Sequence, residues 1–589
     1  MIDFNPNNFS LLWLDKSLEP EPEYPIQENS NIIKDLELER ISLEMSIDNW
    51  HKTGVDMILS NLCNDPLNIT YRVDIVDDLL NNPSVSDGLE SILPMLDELV
   101  RISRNNQIKE LDFLEAVKRL SELDIYIQII SELQRVLSEA KDGLKSKGLK
   151  ELLYLINSVA NDETFISLQK ELPDIKAGIR NISSVTVGIN LNSMLYPTEV
   201  KLVSINEQPF KEENLFSRIS SKLSGENKLP GITPLYKLNK NRSEPLSIGE
   251  KNYDAFMKAL FTDLERLLKS VIRPLIPMVN KYINISSRFL VDLIPEICYF
   301  MGAIKLIKKL QYIGLPMCMP VVSPMDKRIC IIEDSYNLIL ALNMYNKNSE
   351  ADISNSIVYN NISFDPKSRI FVLTGPNQGG KTTYIQSIGL IQVLFQMGLF
   401  VPGTRADISP ADKIFTHFPI EECSKSNMGR MGEESERLHH IFCNATSFSL
   451  VLLNESLSST SSAEALFISR EVLFGLKVLS IRAIIATHIH ELANDLDIIN
   501  STIPGDSIIA SLVSIVDEEK SDNAITKRTY KIIPGAPIGL SYARDIASKY
   551  GISLDKIIDT LQERQVIDDS MKMVDINKVY NSLYHERLL

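Results

Sequence analysis

The residues best suited to do chemistry lie in "GPNQGGKTTY", which begins at Gly375 directly after the apolar run Ile370 to Leu373. Gly375, Gly380, Lys381 and Thr382 fit the spacing G-x-x-x-x-G-K-[ST]. Each residue type has a physical reason to be there. Glycines let backbone N–H groups approach phosphate oxygens, and the start of a following helix adds a favourable dipole. A lysine neutralises charge on the β- and γ-phosphates, and a threonine hydroxyl coordinates magnesium. The expectation is a turn in which Gly375, Pro376, Asn377, Gln378, Gly379, Gly380, Lys381, Thr382 and Thr383 hold ATP with Mg2+.

Two further strand ends carry polar groups. In "FSLVLLNE" the apolar residues Leu450 to Leu453 deliver Asn454 and Glu455 to a strand's carboxyl end, the end beside which ligands bind in open α/β sheets. Glu455 would orient or deprotonate an attacking water, and Asn454 stands where an aspartate usually supports magnesium. An amide still accepts a hydrogen bond from metal-bound water but brings no charge, a loss of roughly 1 to 3 kcal/mol. Hydrolysis should therefore be slow but retained. In "AIIATHIHE", His488 ends another strand, where an imidazole can touch a γ-phosphate and report its presence. Glu455 and His488 are the expected catalytic residues, Thr382 and Asn454 the expected metal-supporting ones. Five of the seven histidines (His417, His439, His440, His488 and His490) fall in this part of the chain, but His439 and His440 are adjacent and diverge around a helix, which disfavours a zinc site.

The elements that must position these groups are legible in the same stretch. "RIFVLTG", "FSLVLLN" and "RAIIATH" read as strands buried on both faces, the mark of a mostly parallel α/β sheet. Upstream the period is helical. Ile108, Leu111, Leu114, Val117 and Leu120 fall three apart, and no Gly or Pro interrupts the stretch to Ala140. The period drops to two in "SVTVGINLN" and "YPTEVKLVSIN", a hairpin inserted between helices. Helical spacing resumes at Tyr253, with a kink expected near Pro274 and Pro277. "EPEPEYP" near the start favours an extended arm.

At 589 residues the chain is too long for one core. It carries 77 acidic against 61 basic residues, a formal charge of -16, so attraction to nucleic acid must come from a local basic surface. Six scattered cysteines, no signal-like N-terminus and no long apolar run point to a cytoplasmic protein with no membrane partner.

These motifs resemble the MutS-type ATPases of DNA mismatch repair, relatives of the ABC ATPases. Four ordered blocks carry the likeness: "FVLTGPNQGGKTTYIQSIGLIQVLFQMGLFVPGTRADISPADKIFTHF", "HIFCNATSFSLVLLNES", "IIATHIHELA" and "TYKIIPGAPIGLSYARDIASKYGI". "LCNDPLNITYRVDIVDDLLNNP" also resembles the start of the MutS helical core. The resemblance implies a multidomain chain, a mainly α-helical core and lever region followed by an α/β P-loop, ABC-like ATPase domain. It implies an N-terminal arm at 1–30, core and first lever helices at 31–180, a clamp-like hairpin insertion at 181–250, returning levers and linker at 251–350, the ATPase domain at 351–560 and a helical tail at 561–589.

It further implies a dimer, expected to be a homodimer, that sandwiches each nucleotide between one chain's phosphate turn and the other's signature segment. Closure would drive a structure-selective DNA clamp in repair or recombination. The alternative is a nucleotide-gated DNA- or protein-binding module with negligible hydrolysis. Departures are visible. The signature segment would lie within "SNMGRMGEESERL", where Glu434 alone matches, and "LSS" at Leu457 to Ser459 replaces a Gly-Arg-Gly turn. About 370 residues precede the phosphate turn, too few for mismatch-reading and connector domains, and no Smr-like region is expected after it. "FLE" at Phe113 reads as helix packing, and Lys237, Lys240 and Arg242 as either phosphate contacts or a solvated loop.

Overall fold

A computed structural model describes residues 8–19, 30–46, 52–103, 113–180, 184–191, 193, 197–206, 276–282, 285–347, 353–376, 378–419, 430–456, 461–517, 527–536, 551 and 554–564. Asn377, Lys237, Lys240, Arg242, the signature stretch before Arg430 and Leu457 to Ser459 lie outside the described residues, as does the tail beyond 564. The chain forms two compact units, each discontinuous in sequence: 1–7, 87–142 and 151–294 make the first, and 8–86, 143–150 and 295–589 the second.

The first unit is helical. Its long helices Phe113–Glu139 and Glu163–Arg180 arise from the three-four apolar spacing, and they bury Leu120, Leu123, Leu168, Leu172 and Ile175 with Val279 and Tyr282. A buried polar set ties the ends together: Arg119 pairs with Glu122 at 2.7 Å and donates to the Tyr282 carbonyl at 2.9 Å, and the Ser287 hydroxyl donates to Glu122. The alternating segments form the antiparallel hairpin β1 (Ser184–Leu191) and β2 (Pro197–Asn206). In this pair Ile189 and Val203 are exposed.

The second unit is α/β. Its strands are β3 (Met317–Cys318), β4 (Val321–Val322), β5 (Cys330–Ser335), β6 (Asn360–Phe364), β7 (Ser368–Thr374), β8 (Val401–Pro402), β9 (Arg405–Ile408), β10 (Ile414–His417), β11 (Leu450–Asn454), β12 (Arg482–Ala486), β13 (Ile508–Asp517) and β14 (Lys527–Pro534). The main sheet runs β10-β11-β12-β7-β13-β14 and is parallel except for the β13–β14 pair. Every residue of β11 and β12 is buried, which is why these segments read as continuous apolar runs without alternation. One face packs on helices Arg430–Asn444 and Ser462–Leu479 through Val451, Leu453, Ile485, Leu438 and Leu473. The other face is covered by helix Lys381–Met397, buried on nearly all sides because Leu36 lies over Gly389 opposite Leu452.

The N-terminal residues of this unit complete its core. Fully buried Arg72 donates through Nε to the Leu12 carbonyl at 2.8 Å and stacks its guanidinium on the Trp13 ring. Tyr299 and Gln396 add hydrogen bonds to the Met397 and Cys63 carbonyls, at 2.7 and 3.0 Å. The end of helix Lys381–Met397 is thereby fixed, and with it the turn at its start.

Candidate active site

The polypeptide leaves β7 at Thr374, turns through Gly375 to Gly380, and enters helix Lys381–Met397. Gly375 has φ 144°, and a Cβ there would come within 2.8 Å of Ser514 Cβ on β13; at Gly379 it would meet Ser514 Oγ at 2.6 Å. The Ser514 hydroxyl uses that space to donate to the Gly379 carbonyl at 2.6 Å. Lys381 is buried and folds back over the turn, donating to the Gly375 and Pro376 carbonyls at 2.9 and 3.0 Å. Burial draws its ammonium below the ordinary lysine range, opposed by the neighbouring Glu455 carboxylate. The turn thus holds a cation inside a curved backbone at a helix N-terminus, an arrangement suited to an anion.

Sheet register brings the other polar strand ends to the same place. Asn454 sits opposite Ala486, Ala486 opposite Leu373, and His417 opposite Leu453. The Thr382 hydroxyl donates to Asn454 Oδ1 at 3.3 Å. Glu455 leaves the strand in the left-handed region, φ 49°, with its N–H donating to the Ala486 carbonyl at 2.9 Å. Its carboxylate lies 2.8 Å from His488 Nε2 and 3.8 Å from Lys381 Nζ. The hydrogen bond with His488 holds the Glu455 carboxyl below the usual range, against partial burial. Glu455 and His488 remain partly open to solvent, at 30% and 40% side-chain exposure, so water reaches the carboxylate.

A cavity of about 430 Å³ opens over the turn, within the size range of small-ligand pockets. Gln378 to Tyr384 and Glu455 form one side; Tyr336, Leu340, Met344, Ile357, Val358 and Tyr530 form an apolar and aromatic wall opposite. The wall is tied to the turn by Asn337 Nδ2 donating to the Thr383 carbonyl at 3.0 Å, the Tyr384 hydroxyl to the Asn361 carbonyl at 2.8 Å, and Asn360 Nδ2 to the Tyr530 carbonyl at 3.1 Å.

Gln378, Gly379, Gly380, Lys381, Thr382, Thr383 and Glu455 therefore line one cavity, while Gly375, Pro376, Asn454 and His488 lie outside its lining and are joined to it by their contacts with Lys381, Thr382 and Glu455. His439 and His440 lie elsewhere, exposed on helix Arg430–Asn444, with His439 Nε2 3.4 Å from Cys443 Sγ. Sequence reasoning missed the apolar wall, Ser514 and the contact of His417 with Ser456, whose Oγ lies 2.9 Å from His417 Nδ1. None belongs to a local motif; each arrives from a different strand or helix, and only the strand-end position of His417 in "IFTHF" offered a signal.

Comparison with known families now has a site to attach to. The family described as "MutS domain V" matches residues 371–558, and "MutS2 N-terminal domain" matches 64–313. The DNA mismatch repair protein MutS of Caldicellulosiruptor saccharolyticus is 26% identical over 536 residues, 87% of this chain and 57% of that protein. The chain belongs to the MutS family. The MutS protein of Prochlorococcus marinus strain AS9601 is 32% identical over 222 residues, 36% of this chain and 23% of its own length. In Caldicellulosiruptor bescii the corresponding values for MutS are 27% over 533 residues, 87% and 57%. The chain spans little more than half the length of the MutS relatives it matches most extensively. Among the described residues no helix is long and apolar enough to cross a membrane.

Proposed function

We propose that this MutS-family chain binds ATP with magnesium in the cavity over Gly375 to Thr382 and hydrolyses it slowly, nucleotide state driving a DNA-binding clamp in repair or recombination. The observation that carries the reading is the convergence of Lys381, Thr382, Asn454, Glu455 and His488, linked by contacts of 2.8 to 3.8 Å. The residues fit the groups they would hold. Gly375 and Gly379 carry no Cβ at the two positions where one would meet Ser514, and Thr382 Oγ1 with Asn454 Oδ1 offers neutral oxygens of the kind a hard cation prefers. Thr382 and Asn454 would hold magnesium, which would supply stabilisation of the charge that develops on phosphate during hydrolysis.

The chain's own residues would do the rest. Lys381 would exchange the Gly375 and Pro376 carbonyls for phosphate oxygens, an ionic partner in place of two neutral ones. Glu455, kept ionised by His488, would accept a hydrogen bond from water and orient it. His488, sharing that carboxylate, would sense whether a γ-phosphate is present. Tyr336, Ile357, Val358 and Tyr530 would receive the apolar part of the nucleotide.

The clamp reading draws on the helical unit with its β1–β2 hairpin and on the relatives' role in DNA mismatch repair. Levers at 105–180 and 251–313, an insertion at 181–250, an ATPase domain at 351–560 and a dimer with nucleotide at its interface belong to the same proposal, as does a cytoplasmic location. Asn454 favours one rival, a nucleotide-gated module that binds ATP and scarcely turns it over. Steady-state phosphate release separates the two: a rate abolished by Glu455→Gln supports the ATPase, and tight ATP binding with no release supports the gate. Filter binding to duplex, branched and single-stranded DNA at rising salt tests the clamp, since phosphate-driven binding must weaken with salt.

A further inference from the structure

Glu455 occupies a backbone conformation that non-glycine residues rarely adopt, φ 49°, and such residues persist only where their surroundings fix them. Two hydrogen bonds bracket it. On one side its own N–H donates to the Ala486 carbonyl of β12 at 2.9 Å. On the other, the hydroxyl of the next residue, Ser456, lies 2.9 Å from Nδ1 of His417, the last residue of β10. β11 runs between β10 and β12, so the turn that carries Glu455 is tied to both neighbouring strands.

His417 is 1% exposed, and the side-chain partner of its ring is the Ser456 hydroxyl. An apolar side chain would fill the same space without burying polar ring nitrogens. Burial, with Arg437 adding repulsion, pushes the imidazole down to about 4. The ring is therefore neutral at ordinary pH, with one N–H and one lone pair, and either tautomer can bond a serine hydroxyl. Its contact with Ser456 does what a filler would not.

We propose that His417 is a positioning residue for hydrolysis: through Ser456 it holds the left-handed turn that points the Glu455 carboxylate toward Lys381 and His488. This rests on the ATPase reading above. His417 is not among the residues that line the cavity, and the contact through which it would act is the Ser456 hydroxyl. It should therefore act on turnover and leave ATP affinity alone.

The test uses the full chain and compares His417→Ala, Ser456→Ala, the double variant and His417→Asn, whose side-chain amide can sit near the place of Nδ1. His417→Ala and Ser456→Ala should each lower phosphate release about tenfold with the ATP dissociation constant changed less than about twofold. The double variant should be no slower than either single one, because both remove the same bond. His417→Asn should recover most of the rate. Unchanged turnover in both single variants, losses that multiply in the double variant, or an equal loss in ATP affinity would overturn the proposal. If the unaltered chain releases no phosphate, the ATPase reading fails by itself, and hydrogen exchange then decides this one. Exchange at the Glu455 amide should quicken in Ser456→Ala and His417→Ala; rates equal to those of the unaltered chain would contradict it. Ser456 is only partly buried, so its variant keeps the test open should His417→Ala not fold.

Discussion

Replacing Asn454 by Asp returns a negative charge to the end of β11, and its effects should differ in sign with and without magnesium. Asn454 is 3% exposed and accepts from the Thr382 hydroxyl at 3.3 Å. In the absence of a metal ion a carboxylate there is a buried charge next in sequence to Glu455, and Lys381 already faces Glu455 at 3.8 Å. Desolvation should lower the stability of the free protein by about 1–3 kcal/mol. With magnesium and ATP bound, the hydrogen bond to metal-held water becomes charge-assisted, a gain of about 1–2 kcal/mol over the amide. That gain corresponds to a magnesium half-saturation lower by roughly 5- to 30-fold. The assay is a magnesium titration of phosphate release and ATP retention for both chains, with thermal unfolding measured with and without the metal nucleotide. Asn454→Asp should unfold earlier alone, require less magnesium, and turn over faster. A folded Asn454→Asp protein whose magnesium dependence and rate match the original would refute the assignment of this residue to metal support.

Two further outcomes follow from the packing beneath the site. The Glu296 carboxylate accepts from Ser10 Oγ and Leu11 N at 2.7 and 2.6 Å, and burial pushes it up to about 7. A carboxyl raised in the fold contributes stability that is fully present below its ordinary value of 4.5 and is lost as pH rises toward about 7, on the order of 3 kcal/mol. Urea unfolding at pH 5 and pH 8 should therefore show Glu296→Gln gaining stability relative to the original chain at the higher pH; parallel profiles would contradict this. Gly398 ends helix Lys381–Met397 at φ 82°, with a Cβ position only 2.3 Å from Arg72 Cβ. Gly398→Ala should cost more than about 1 kcal/mol in the same assay, and a neutral result would contradict the close packing.

What was legible in the sequence was whatever depends on neighbours along the chain. The strand before Gly375, the turn itself and the helix after it are adjacent, and their residue types suffice to place them; the same holds for the apolar runs ending at Asn454 and His488. The two-residue period of β1 and β2 likewise needs only local alternation. The cavity wall was not legible, because Tyr336, Ile357 and Tyr530 come together only when β6 and β14 pack beside the turn, and no spacing rule spans those separations. The packing of the first hundred residues was hidden for the same reason. Periodicity marks Pro66–Asn81 as a helix, but not that Arg72 closes over Trp13 beneath Gly398. A fully buried arginine reads as a surface residue until its carbonyl partners are known.

Everything functional here depends on a triphosphate being gripped by the turn from Gly375 to Thr382. Retention of labelled ATP by the purified chain with magnesium, compared with Lys381→Ala, tests this most directly. The account predicts saturable retention that Lys381→Ala weakens by at least about tenfold, since a buried cation facing phosphate is removed. Failure of the unaltered chain to retain ATP, or equal retention by Lys381→Ala, would contradict it.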